Sequence, residues 1–215
     1  MDISRLDMQS KPAMGIRAIA VDLGGVLLLS NPDRDIRWAA KELGLSVEEV
    51  RRVLWKGEDV EAANRGHITA EEYFARAAPR LGVPASHVGM IVEALFAGVL
   101  NEPMVNWLAN QRSSVRISAF TNNWSFVDRI LENHHVLNLF DTVVNSADVG
   151  CCKPSPCIYD ALLARLDIKA DEIVVVDDQQ VNIDAANAIG FHGVLYEDME
   201  RLIRAVESLG SQGGE

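Results

Sequence analysis

Short apolar runs that stop at a polar residue recur along the chain. Ile16–Val21 (IRAIAV) is a β-compatible run ending at Asp22, and Gly24-Gly25 follow at once, so the chain leaves this strand through a loop. Val115–Phe120 ends the same way at Thr121, Thr142–Val144 near Asn145, and Ile173–Val176 at Asp177-Asp178. Gly193–Tyr196 reads as a last strand. Helical spacing fills the intervals: Met104–Gln111, Phe126–His134, and a helix opened by Ser155-Pro156 with Ile158, Ala161, Leu162 and Leu166 on one face. A further helix separates Asp178 from the last strand. This alternation predicts a parallel sheet with helices on both faces, and the unbroken apolar strands fit burial on both sides.

The stretch from Pro32 to Pro103 is different. It shows helical patterning and no strand signal. Ile36, Ala39, Ala40 and Leu43 form one face, which Gly44 ends. Ser46-Val-Glu-Glu49 and Thr69-Ala-Glu-Glu72 are capping boxes that open two more helices. Ser86 precedes a fourth, apolar at Val88, Ile91, Val92, Leu95 and Val99. Placed between the first and second strands, this block is expected to lie over the carboxyl ends of the strands, where open α/β sheets bind ligands. The fold class is therefore α/β, a three-layer Rossmann-like core with an inserted small four-helix cap. The expected division is a tail at 1–14, a core of 15–31 and 104–209, a cap at 32–103 and a tail at 210–215.

Composition narrows the partners. The 215 residues carry 20 Lys+Arg against 31 Asp+Glu, a formal charge of −11. That balance argues against a nucleic-acid or membrane-surface partner, because phosphate-rich surfaces reward Lys and Arg. A small phosphorylated substrate needs only local positive charge. Cys151, Cys152 and Cys157 are odd in number and close in sequence, so free thiols in a reducing compartment are expected rather than a disulfide or zinc site. The first residues lack the apolar stretch of a signal peptide, and the most apolar segments are shorter than a membrane span. A cytoplasmic location is expected.

The strand ends carry the chemistry. In a parallel sheet Asp22, Thr121-Asn122-Asn123 and Asp177-Asp178 share one edge, and Lys153 lies in the loop after the third strand. A carboxylate nucleophile, a hydroxyl, an ammonium and a carboxylate pair suit phosphoryl transfer through an aspartyl-phosphate on Asp22. Mg²⁺ favours a few carboxylates together with substrate oxygens and water, which Asp22 and Asp178 supply.

Four segments in order, AVDLGGVL, SAFTNN, GCCKPSPCIYDALL and VVVDDQQVNIDAANAIG, resemble the motifs of the haloacid dehalogenase-like (HAD) hydrolases across about residues 15–200. Asn182, Ala186 and Gly190 follow Asp178 at steps of four. The insert is similar to the small helical cap of the branch that includes sugar-phosphate phosphatases of the glucose-1-phosphate type. The resemblance implies a Mg²⁺-dependent phosphatase acting on a small phosphorylated metabolite, with sugar phosphates among the candidates. Catalytic roles fall to Asp22, Thr121 and Lys153, substrate contacts to Asn122, Asn123 and Asn182, and metal binding to Asp22, the carbonyl of Gly24, Asp177 and Asp178. Such proteins occur as monomers or homodimers.

One departure stands out. Most phosphatases of this family carry Asp two positions after the nucleophile as general acid, and here the residue is Gly24. A leaving group of low basicity needs little protonation. Alternatively Asp33, Asp35 or Glu58 supplies the proton, or the protein binds phosphate esters as a non-catalytic regulator. A metal-independent 2-haloacid dehalogenase is a further alternative. The retained Asp177-Asp178 pair disfavours it, because carboxylates beside Asp22 repel one another without a cation. In the cap, Trp55, Arg65 and His67 are candidates for reading the substrate. Trp124 is a candidate pocket wall, whereas Trp38, Trp107 and, as its alternative, Trp55 read as packing residues and the histidines as surface or core residues.

Overall fold

The computed structural model describes residues 15–54 and 57–209, with Pro32 described by its backbone. The expected tails and Trp55 lie outside the described residues. The core is a five-stranded parallel sheet in the order β5-β4-β1-β6-β7. Its strands are β1 (Ala18–Val21), β4 (Arg116–Thr121), β5 (Thr142–Asn145), β6 (Ile173–Asp177) and β7 (His192–Leu195). Strand β1 is central, so Asp22 leaves the sheet between Thr121 on one side and Asp177 on the other.

The unbroken apolar runs are explained by the two faces they bury. Ile19, Val21, Val174 and Val176 pack with Trp107 and Leu108 of α6 (Glu102–Gln111), Leu131 of α7 (Val127–Asn133) and Leu202 of α11 (Met199–Ser208). Ala18, Ala20 and Val175, which alternate with them, face Ile158 and Leu162 of α9 (Pro156–Leu166) and Ala186 of α10 (Gln180–Ile189). Side chains alternate along a strand, so both faces must be apolar to sit between two helical layers. A short α8 (Ser146–Val149) follows β5.

The insert is helical, with one helix more than the sequence pattern indicates. It comprises α1 (Pro32–Leu43), α2 (Val47–Leu54), α3 (Glu58–Asn64), α4 (Ala70–Leu81) and α5 (Ala85–Ala97). The sequence EDVEAAN of α3 buries little beyond Ala63, so its periodicity is faint. Both capping boxes form. Ser46 N–H donates to Glu49 Oε2 at 2.9 Å, and Thr69 N–H donates to Glu72 Oε2 at 2.7 Å. Tyr73 Oη donates to the Val53 carbonyl at 2.7 Å and ties α4 to α2.

Two strands escape the sequence pattern. β2 (Leu28–Leu29) and β3 (Val99–Leu100) pair antiparallel at the neck between core and insert. Val99 therefore belongs to a strand and is not on the face of the preceding helix. Trp107 is buried as expected, but Trp38 is 38% exposed and does not pack in the core.

The cysteines correct another expectation. Cys151 and Cys157 are disulfide-bonded with their Cα atoms 6.4 Å apart, and Cys152 is the free thiol. Helix α9 begins at Pro156, and its first turn carries Cys157 back toward Cys151. The pairing removes the cysteine argument for a reducing compartment. Among the described residues, no helix is long and apolar enough to cross a membrane.

Candidate active site

The strand ends converge as their order requires. Asp22 is 8% exposed, and its Oδ1 accepts from the Leu23 N–H at 2.7 Å. Lys153 is buried with its Nζ 3.2 Å from Asp22 Oδ1 and 2.5 Å from Asp177 Oδ2, and it donates to the Phe120 carbonyl at 2.8 Å. All three partners of that ammonium come from the carboxyl ends of β1, β4 and β6. Burial pushes the Asp22 carboxyl up to about 6, with the Lys153 charge opposing and Asp177 reinforcing. Asp178 is also raised, chiefly by burial.

Asp177 is fully engaged. Its Oδ1 accepts from the Gln179 N–H at 2.8 Å and from Asn182 Nδ2 at 2.9 Å, and Lys153 holds Oδ2. Oxygens of Asp22, Asp177 and Asp178 lie within 4.8 Å of one another, the one carboxylate-rich metal-competent group among the described residues. Because Lys153, Asn182 and Gln179 occupy Asp177, Asp22 and Asp178 have more lone-pair capacity for a hard divalent ion. Three carboxylates around one ammonium leave an excess of negative charge, which a cation would offset. Gly25, at φ +72°, brings the loop after Asp22 against Asp178; a Cβ there would overlap the Asp178 carboxylate.

The asparagines differ in what they bond. Asn122 Oδ1 accepts from the Lys153 N–H at 2.7 Å, and its Nδ2 donates to the Lys153 carbonyl at 2.9 Å. Asn123 Oδ1 accepts from the Trp124 N–H at 2.8 Å, while its own N–H donates to Ser146 Oγ at 3.1 Å. Both asparagines line the cavity described below, as does Thr121. Asn182 does not; its amide bonds Asp177 and its carbonyl accepts from Tyr159 Oη. Asn182, expected as a substrate contact, thus has its side chain on Asp177 and lies outside the cavity lining.

A cavity of about 360 Å³ separates this sheet edge from the insert. The core contributes Asp22, Gly24 and Thr121 to Trp124, and the insert contributes Leu54, Val60, Asn64, Val92, Leu95 and Phe96 among others. Trp124 is a pocket wall, as its position after Thr121 suggests. Of the three carboxylates considered as substitutes for the missing acid, Asp35 lines the cavity and Asp33 and Glu58 do not. Arg65 and His67 are not in its lining either. Leu95 and Phe96 read in the sequence simply as part of an apolar helix; only the position of α5 over the strand ends reveals them.

The insert is seated on the core. Trp124 Nε1 donates to Asn64 Oδ1 at 2.8 Å, and Ser146 Oγ donates to the Asn64 carbonyl at 2.6 Å. Arg129 pairs with Glu93 at 2.6 Å. Gly66, at φ +66°, lies so close to the Ala147 carbonyl that a Cβ could not be accommodated.

Comparisons with known proteins agree with this arrangement. Over 185 residues the chain is 26% identical to the sesquiterpene phosphatase astK of Aspergillus oryzae, covering 85% of this chain and 90% of that one. It spans between 19% and 39% of the length of several further curated relatives. A HAD-like hydrolase structure from Porphyromonas gingivalis superposes with a TM-score of 0.74 at 26% identity, covering 90% of this chain and 97% of that one. A HAD-family enzyme of Bacteroides thetaiotaomicron, in complex with magnesium and inorganic phosphate, gives 0.75 at 20% identity, covering 87% and 98%. The family model of the haloacid dehalogenase-like hydrolases matches residues 16–190, most of the chain. With the core sheet, the inserted helices and the motif order in agreement, the chain belongs to the haloacid dehalogenase-like hydrolases.

Proposed function

We propose that the protein is a Mg²⁺-dependent phosphatase that hydrolyses a small phosphorylated metabolite through an aspartyl-phosphate on Asp22. The observation that carries this reading is the position of Lys153 Nζ between Asp22 and Asp177, with Asp178 completing the acidic group. The donors are all hard oxygens, which suits Mg²⁺. When bound, Mg²⁺ supplies positive charge that offsets the carboxylates and the phosphoryl oxygens. The magnesium and phosphate bound by the Bacteroides enzyme support the same assignment by similarity.

In this reading Asp22 uses one carboxylate oxygen to attack phosphorus while the ester P–O bond breaks. The leaving oxygen takes a proton. Water then cleaves the acyl phosphate, releasing inorganic phosphate and restoring the Asp22 carboxylate. Lys153 stabilises the charge on Asp22 and on the phosphoryl oxygens, and the Thr121 hydroxyl binds one of those oxygens. Asn122 fixes Lys153, and Asn182 fixes Asp177. Residues 32–103 act as the cap that admits substrate and excludes water. Gly24 supplies no proton, so either the leaving group is weakly basic or Asp35, on the cavity wall, protonates it.

The test is phosphate release from a panel of esters with Mg²⁺, with chelator, and in Asp22→Asn. Release that needs both Mg²⁺ and Asp22 is expected. Halide release from 2-haloacids that persists in chelator would replace this reading with the dehalogenase, and tight ester binding without turnover would replace it with the regulator.

A further inference from the structure

The cavity that receives the ester is chemically divided. Its floor is polar, formed by Asp22, Thr121, Asn122 and Asn123, and suits one phosphoryl group. Its far wall is apolar, formed by Leu28, Leu54, Val60, Leu95, Phe96 and Trp124. The polar exceptions on that side are Ser30, Asp35 and Asn64, and two of them are held by neighbours. Asn64 Oδ1 accepts from Trp124 Nε1, and Asp35 accepts from the Asn31 N–H at 2.8 Å and from Arg34 Nε at 2.9 Å.

Charge sharpens the division. No Lys, Arg or His among the described residues lines the cavity. Among the described residues of this lining, a second phosphate or a carboxylate on the substrate would find no cation. A polyhydroxylated body would bury hydroxyls against hydrocarbon, which is unfavourable unless each finds a partner.

The cavity also continues outward along Leu95, past the Arg34–Asp35 ion pair. A second recess of about 320 Å³, lined by Arg34, Trp38 and Ala94, shares Asp35, Leu95 and Gly98 with the first. Trp38, which lines this recess, is 38% exposed and offers its ring to whatever enters.

Resting on the phosphatase reading, we infer that the substrate is a monophosphate ester of an uncharged, largely hydrocarbon group. The phosphoryl end meets Asp22. The hydrocarbon lies against Phe96, Leu95 and Trp124, and a longer chain leaves over Leu95 and Gly98 toward Trp38.

Phenyl phosphate and a series of 4-alkylphenyl phosphates test this, because the alkyl group lengthens the hydrocarbon while the phenol leaving group stays nearly constant in basicity. With Mg²⁺, kcat/KM is expected to rise about fourfold per methylene until the recess is filled, the equivalent of ~0.8 kcal/mol at ~1.36 kcal/mol per decade. Sugar phosphates are expected to fall below phenyl phosphate. Leu95→Asn should flatten the slope, and Trp38→Ala should remove the gain at the longest chains. Hydrolysis of every ester with no dependence on chain length would overturn the inference and leave the phosphatase reading standing. If no ester is hydrolysed, that reading fails instead. Binding of 4-alkylbenzylphosphonates, measured by calorimetry with Mg²⁺, then decides the inference alone: affinity that climbs with chain length upholds it, and a flat series overturns it.

Discussion

Asn122 grips the main chain of Lys153 at both ends of its amide, accepting from the Lys153 N–H at 2.7 Å and donating to the Lys153 carbonyl at 2.9 Å. The two residues are 31 positions apart and come from loops after neighbouring strands. The bond pair sets the height at which the Lys153 side chain enters the sheet edge. Asn122→Ala removes both bonds and leaves the loop free to shift. The expected result is a kcat/KM roughly tenfold lower, consistent with ~1.4 kcal/mol of lost positioning. Steady-state kinetics on phenyl phosphate read this directly, and Asn122→Asp, which keeps the acceptor geometry but has no N–H to donate, should restore little of the loss.

Lys153 is buried between two carboxylates, and its removal exposes their repulsion. Lys153→Met should destabilise the protein by about 3 kcal/mol in chemical denaturation, because breaking a buried pair strands the partner charge. A loss below ~1 kcal/mol would show that water reaches Asp22 and Asp177 freely.

Gly24 is open toward the cavity, and a Cβ built there meets nothing within 4 Å. Gly24→Asp is therefore accommodated and introduces a carboxyl two positions from the nucleophile. In the natural protein, rates across a series of esters should fall steeply as the leaving alcohol becomes more basic. Gly24→Asp should flatten that dependence and raise turnover of alkyl phosphates by about 10²-fold, the lower end of general-acid effects. An unchanged slope would show that another group, Asp35 foremost, already delivers the proton.

Asp22 is protonated in the folded protein up to about pH 6, against 3.8 as its ordinary value. The raised value means that its contribution is fully present below pH 3.8 and is lost as pH rises through about 6. At pH 7.5 the ionised, buried carboxylate then costs the metal-free protein about 3 kcal/mol, the rise from 3.8 to about 6 taken at ~1.36 kcal/mol per pH unit. In chelator, Asp22→Asn should be more stable than the natural protein at pH 7.5, with the gap closing toward pH 4. Thermal unfolding across that range checks the sign, and a natural protein more stable than Asp22→Asn at pH 7.5 would refute it.

Much of this architecture was legible in the residues because strands buried on both faces must be apolar and must end where water or a ligand begins. Asp22, Thr121 and Asp177 are such endings. The asparagines were not decidable, since one amide serves equally to hold a ligand or a neighbour; Asn122 and Asn182 are committed to Lys153 and Asp177. Val99–Leu100 was hidden because two apolar residues after an apolar helix look like more helix, and only Leu28–Leu29, about seventy residues earlier, make them a strand. The start of α9 is readable from Ser155-Pro156, but two cysteines six positions apart do not by themselves show that the turn leading into that helix brings Cys157 back to Cys151.

The covalent intermediate on Asp22 is the centre of the account, and trapping it is the most direct test. The protein would be mixed with Mg²⁺ and phenyl phosphate or acetyl phosphate, quenched during turnover, reduced with borohydride and mapped by peptide mass spectrometry. Reduction of an aspartyl-phosphate yields homoserine, and the account predicts homoserine at position 22, absent in chelator. Sustained phosphate release with position 22 recovered wholly as aspartate, or with the modification at another residue, would contradict it.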